Sequence, residues 1–305
     1  RPLPLPAPDA RQPALAVPSL LGEGPSSPPL GNRRGFRERT AQQKMLATLA
    51  ALAALASPPI AQLRLVSESR TYVPGRSLRA AVVLDLPKGW HVYWINPGDS
   101  GVPPRVTWKL PPGWRVSELA HPAPKAHHDS DFVSFVHEGK VLLPVRLQAP
   151  ANARGRVRLQ ADVEWLVCKE GCIPESGSAG LTLEAGASTQ ATAASPAIAA
   201  AAASVPSPGG KGTLQWDEDQ PLVEFHGYPD AAAWEAFPVA PGVLRHRDPV
   251  SSAEKTSDGW RLALNRSEFL QGRPAAIEVL LIPKDPAGRR LGPGRIFVFE
   301  AAPRG

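Results

Sequence analysis

Cys168 and Cys172 are the only two cysteines among 305 residues, and they stand four positions apart. Sulfur at that spacing supports a lasting disulfide, a thiol–disulfide exchange site, or part of a soft metal site. In the run Arg156 to Cys168 (RVRLQADVEWLVC), Val157, Leu159, Ala161, Val163, Trp165 and Val167 alternate with polar residues, broken only at Leu166. That period of two predicts a strand with one face in the core. Cys168 has the parity of the polar set, so its side chain is expected to leave the core and face solvent or a partner. Four residues of straight strand span ~13 Å, whereas disulfide-bonded Cα atoms lie ~4.4–6.8 Å apart. Bonding therefore requires a turn over Lys169-Glu170-Gly171, with Gly171 expected to supply a positive φ and Pro174 to end the turn.

A ring this small restricts the unfolded chain little, by about 2 kcal/mol on chain-entropy scaling, and small strained rings are readily reduced. Exchange is thus favoured over stapling. The competing chemistry is copper held by Cys168 and Cys172 with His127 or His137, since soft thiolates prefer Cu(I) and His121, His127, His128 and His137 cluster in one stretch read as a loop. No serine elbow or paired-metal motif points to hydrolysis.

The elements that must position the cysteines read as strands. Candidates are Leu63–Ser69, Leu78–Leu86, Trp90–Ile95, Val106–Leu110, Val141–Gln148, Val157–Val167 and Gly180–Leu183, separated by Pro87-Lys88-Gly89, Asn96-Pro97-Gly98-Asp99-Ser100-Gly101 and Pro111-Pro112-Gly113. The spacing predicts an all-β protein with a β-sandwich over 62–184. Residues 185–212 are rich in Ala, Ser and Pro, with Pro196, Pro206 and Pro208 among them, and read as a linker in preference to a weakly packed helix. Residues 213–305 show further strand-like runs (Leu222–His226, Trp260–Leu264, Ile277–Ile282, Ile296–Phe299) and read as a second, smaller β-domain without cysteine.

Met45 to Ala56 (MLATLAALAALA) is too short for a membrane span and has the length of a signal-peptide apolar region. With Arg37, Arg39 and Lys44 before it and small residues after it, 45–61 reads as a signal peptide. Residues 1–44 read as disordered or non-native. The mature protein is expected in an oxidising, extracytoplasmic compartment such as the periplasm, unless an uncleaved signal anchors it. The net charge of +6 argues little for nucleic acid, because residues 1–61 hold seven Lys/Arg against three Asp/Glu, leaving +2 for the remainder.

Trp90-His91-Val92-Tyr93-Trp94-Ile95-Asn96-Pro97-Gly98-Asp99-Ser100-Gly101, Glu138-Gly139 before Val141-Leu142-Leu143-Pro144-Val145, and Trp165-Leu166-Val167-Cys168-Lys169-Glu170-Gly171-Cys172-Ile173-Pro174-Glu175 together carry a family likeness. Roughly from residue 63 to 300, the chain resembles the N-terminal extracytoplasmic region of DsbD-type protein-disulfide reductases, and most of all the ScsB-like branch linked to copper tolerance. The resemblance implies an immunoglobulin-like sandwich and no organic cofactor, with Cys168 and Cys172 as the redox pair. It implies electrons arriving from a thioredoxin-like protein or domain, fed by a membrane electron-transfer domain, and passing to periplasmic thiol proteins. It also implies that the loop around Asp131–His137, with Phe132, Phe135 and His137, shields the pair or contacts the partner, His137 standing where the family has an aromatic residue. The family continues into membrane and thioredoxin-like domains, which do not follow before Gly305.

Overall fold

A computed structural model describes residues 58–228 and 230–301. The N-terminal extension and residues 45–57 of the expected signal lie outside the described residues. Ile60 and Ala61, read above as the end of that signal, belong to the fold. Ala61 is fully buried, and both backbone N–H groups donate to the Glu175 carboxylate, at 2.5 and 3.1 Å.

The first domain is a sandwich of two sheets. One has the order β1 (Gln62–Ser67), β3 (Ser77–Asp85), β9 (Lys140–Gln148), β6 (Arg115–Val116). The other runs β2 (Thr71–Tyr72), β11 (Cys172–Ala185), β10 (Arg156–Cys168), β4 (His91–Gly98), β8 (Phe132–Glu138), β7 (Lys125–Asp129), with β5 (Arg105–Lys109) also paired to β10. The alternation read in β10 is obeyed: Leu159, Ala161, Val163, Trp165 and Val167 all point into the space between the sheets, where they meet residues such as Val82, Leu84, Leu143 and Val145. In β3, Ala80 to Leu84 are buried without interruption, so its outer face is covered as well.

The cover comes from the segment expected to be a linker. Residues Ser195–Ala203 form α1, which lies against β3 and β9 with Ile198 fully buried, and β12 (Ser207–Asp217) begins soon after. Pro196 falls in the first turn, where a missing N–H breaks no helical bond, and the alanines that follow are the best helix formers. Proline content alone therefore misread the segment.

The second domain is one seven-stranded sheet in the order β14 (Ala233–Pro238), β17 (Ala276–Lys284), β18 (Arg295–Ala301), β12, β13 (Gln220–His226), β16 (Gly259–Leu264), β15 (Val250–Lys255). It curls until edge strands β14 and β15 approach each other, around an aromatic core of Phe225, Trp234, Trp260, Phe297 and Phe299. The fold is all-β, an immunoglobulin-like sandwich followed by a second β-domain.

The apolar run of β17 has a further cause. Val279 and Leu281 point into the second domain's own core, while Leu280 and Ile282 point out to meet Trp94, Val133 and Phe135 of the first, joined by Phe237. A strand buried on both faces loses its alternation. Because this shared cluster is buried and rich in aromatic rings, the two β-domains are expected to unfold as one cooperative unit. Calorimetry should show a single transition, and Phe225→Ala, which costs about 3–5 kcal/mol in a core of this kind, should lower it without splitting it. Two separated transitions in the unsubstituted protein would contradict the shared-core account.

Candidate functional site

The cysteines end the longest hairpin among the described residues. β10 and β11 pair continuously from Arg156↔Glu184 to Cys168↔Cys172, placing the two Cα atoms 4.2 Å apart with the sulfurs bonded. Lys169-Glu170-Gly171 close the loop, and the Lys169 N–H donates to the Gly171 carbonyl at 3.1 Å. Two local expectations fail. Gly171 does not adopt a positive φ, and Pro174 lies within β11, opposite Leu166. The stretch of β11 around Pro174 has β10 on one side and no strand on the other among the described residues, so proline's missing N–H costs the sheet no bond there. At the same end, Trp165 donates its indole N–H to the Glu175 carboxylate at 3.0 Å, and this carboxylate also holds Ile60 and Ala61. Trp165 and Glu175 thus fasten the hairpin to the start of β1.

The two sulfurs differ in access. Cys172 is exposed, while Cys168 is only 2% exposed. Parity does carry Cys168 away from the sandwich core, as expected, yet the side chain reaches a second cover instead of solvent. Tyr93 and Val136 pack on it, with Leu166 alongside. The Tyr93 hydroxyl donates to Cys168 Sγ at 2.9 Å and lies 3.6 Å from Cys172 Sγ. Burial raises the Tyr93 pKa, with a hydrogen bond from Ser100 opposing, so the hydroxyl keeps its proton at neutral pH. His91 stands opposite Cys168 in the ladder, buried, its ring edge-on to Tyr93 at 5.4 Å and 4.8 Å from that of His127. Burial and then the neighbouring His127 lower the His91 pKa, against a smaller pull from Glu138, which favours a neutral ring.

The Asn96–Gly101 turn fixes Tyr93. A Cβ on Gly101, which has φ +109°, would stand 2.2 Å from the Tyr93 ring, so the chain passes flat against the phenol. At Gly98 a Cβ would stand 2.3 Å from the Val133 carbonyl. Asp99 accepts from the Val133 N–H at 2.6 Å, and the hydroxyls of Ser100 and Ser134 lie 3.1 Å apart.

Residues 62–183, the segment holding this whole arrangement, match the family described as thiol:disulfide interchange protein DsbD, N-terminal. They form a DsbD-type N-terminal domain. The N-terminal periplasmic domain of ScsB from Proteus mirabilis superposes with a TM-score of 0.55 at 17% identity, covering 81% of this chain and 96% of that one. At that identity the likeness speaks for the fold. The major pilin subunit BcpA of Bacillus cereus aligns at 6% identity with a TM-score of 0.25, covering 79% of this chain and 67% of the pilin. No curated protein sequence matches the chain.

Within the DsbD-type domain the residues expected to shield the cysteines disperse. The stretch read as a loop is the hairpin β7–β8, turning at Ser130, whose φ is 43°. Phe132 lies by the tip, 58% exposed, on the same strand face as Val136 but four residues away from it. Phe135 is on the opposite face, 1% exposed, its ring 4.9 Å from Phe237 and 5.1 Å from His246. It belongs to the interdomain cluster and shields no sulfur. The role assigned to these phenylalanines falls to Tyr93 and Val136. Tyr93 stood inside the quoted motif, but its orientation depends on how β4 pairs with its neighbours.

The expected metal ligands also separate. His127 lies against His91 with its ring tilted, on the cysteine side of the sheet, whereas His137 shares the face of Phe135 and stacks on His121, with ring centroids 6.1 Å apart. Among the described residues no three His, Cys, Asp or Glu side chains group closely enough to hold an ion. Burial lowers the pKa of His121 to about 4 and that of His137 to about 3, the charge of His121 adding to the latter. The unfolded chain takes up these protons as pH falls through about 6.5, while the native state resists until far lower. Stability is therefore complete above that value and declines on acidification, by up to about 1.4 kcal/mol per pH unit for each histidine. Urea denaturation between pH 7 and pH 4 should show this slope, and His137→Phe should flatten it.

Proposed function

We propose that this protein is an extracytoplasmic dithiol–disulfide relay in which Cys172 is the sulfur met by partner proteins and Cys168 is the leaving and resolving sulfur. The asymmetry of the pair carries the reading: one sulfur is open, and the other is buried against a hydroxyl donor. A thiolate of a reduced donor attacks Cys172 Sγ in line with the S–S bond. The bond breaks, a mixed disulfide forms, and Cys168 departs as a thiolate that accepts the Tyr93 hydrogen bond. The donor's second thiol then attacks its own sulfur in that mixed disulfide and releases Cys172. Two electrons and two protons have moved, leaving a dithiol here and a disulfide in the donor.

Delivery reverses the geometry. The Cys172 thiolate attacks the acceptor's disulfide, and Cys168 resolves the intermediate. The resemblance and the DsbD-type match favour a thioredoxin-like donor and periplasmic thiol proteins as acceptors. Among the described residues no helix is long and apolar enough to cross a membrane.

Cys168→Ser should leave Cys172 able to capture a partner without resolution, so the full chain expressed for export should accumulate mixed disulfides, visible on non-reducing gels. Cys172→Ser should accumulate few, because its remaining thiol is covered. Failure of both variants to trap any protein, together with a reduction potential below about −300 mV, the range of structural disulfides, would show an inert staple. A hydrogen bond to a charged group contributes about 1.5–3 kcal/mol. Tyr93→Phe should accordingly slow reduction of the disulfide by about tenfold or more in stopped-flow assays against a reduced thioredoxin.

A further inference from the structure

We infer that the second β-domain is a positioning element for the disulfide, bracing from behind the two strands whose front faces cover Cys168. This deepens the relay reading and rests on it for its use, though not for its test. The argument lies in neighbouring residues of β4 and β8. Tyr93 touches Cys168, and the next residue, Trp94, packs into the interdomain cluster. Val136 touches Cys168, and the preceding residue, Phe135, packs on Phe237. Each strand is thus held between the sulfur on one face and the second domain on the other, and it cannot shift toward either without opening a packed contact.

Polar contacts fix the same segments. The fully buried Asn96 donates its side-chain N–H to the Pro238 carbonyl at 2.8 Å, and its own carbonyl oxygen accepts from the Gly98 N–H at 3.0 Å. His246 Nδ1 lies 2.6 Å from the Asp99 carboxylate, with only 9% of the His246 side chain exposed. Arg247 donates to the Ser130 carbonyl at the tip of β7–β8 at 2.5 Å. The second domain therefore holds both ends of the cover, the turn that presses Gly101 on the Tyr93 ring and the hairpin that carries Val136. A domain without cysteine acquires a role in redox chemistry: it sets how often Tyr93 and Val136 lift from Cys168, and so how readily that thiol is reached. Phe237 and His246 are the positioning residues.

The test uses the full chain and small reagents. In a Cys172→Ser background, the rate at which iodoacetamide alkylates Cys168 measures opening of the cover. Phe237→Ala and, separately, His246→Asn are compared with Leu214→Ala, which removes a buried side chain from the second domain's own core away from the first. The expected result is alkylation about tenfold faster or more for Phe237→Ala, a smaller rise for His246→Asn, and a change under about twofold for Leu214→Ala, all under conditions where each variant is folded. Phe237→Leu should restore most of the protection. With both cysteines present, Phe237→Ala should also shift the reduction potential measured against dithiothreitol, and Leu214→Ala should not. Equal rates for the interface and core variants would overturn the proposal, as would rates unchanged from the parent, and His246→Asn provides the comparison if Phe237→Ala does not fold. Iodoacetamide and dithiothreitol need no protein partner, so this result stands apart from any failure to trap one.

Discussion

The constraint on which the rest depends is the uninterrupted ladder between β10 and β11. Once Val157 to Val167 are committed to the core on alternate positions, Cys168 has to emerge on the other face of the sheet, and Cys172 has to stand beside it. A bulge anywhere in the hairpin would put one sulfur into the sandwich core and end its access to partners. Register, more than the disulfide, brings the sulfurs together. The ladder's hydrogen bonds are made by the backbone and not by the sulfurs, so the register does not depend on the S–S bond. The bond itself adds only about 2 kcal/mol by chain-entropy scaling for so short a loop. A domain whose fold gains so little from its disulfide can open and close it repeatedly without unfolding.

Emergence on the outer face would leave Cys168 in water unless something covers it. β4 and β8 provide the cover because they continue the same sheet past the hairpin, placing His91 and then Tyr93 and Val136 at the sulfur's level. This arrangement yields one open and one sheltered sulfur from two chemically identical residues. Shelter alone would raise the cost of forming a thiolate. A protonated phenol 2.9 Å away offsets that cost, and burial of Tyr93 keeps the phenol protonated. Cys172 faces solvent, and the same phenol stands farther from its sulfur, at 3.6 Å.

The sequence revealed strands by alternation where one face was wet and by apolar runs between turn signals where both faces are covered. The alternation in β10 was plain, and the runs 78–86, 141–148, 260–264 and 277–282 lie on observed strands. It concealed β8 because the buried run from Val133 to His137 has no period of two and carries Ser134 and His137 within it, beside histidines read as part of a loop. The cysteine pair was legible from spacing and parity. The cover was not, since neighbours across strands are set by pairing order and not by distance along the chain. Phe135 and His137 show this most directly: one residue on either side of Val136 was enough to send both to the opposite face.

The second domain completes the argument about faces. A sheet with a reactive group on its outer surface needs rigidity there, but the sandwich core supports only its inner surface. Where β4 and β8 extend past the sandwich, their inner residues Trp94, Val133 and Phe135 have no opposing sheet from the first domain, and Phe237, Leu280 and Ile282 take that place. The extension would otherwise be a two-sided apolar flap, exposing its large side chains to water and free to flex. Packing it against a separate β-domain solves both problems at once. It also explains why the Asn96–Gly101 turn combines residues of two kinds: Gly98 and Gly101 permit close approach to the first domain, and Asn96 and Asp99 reach polar groups of the second.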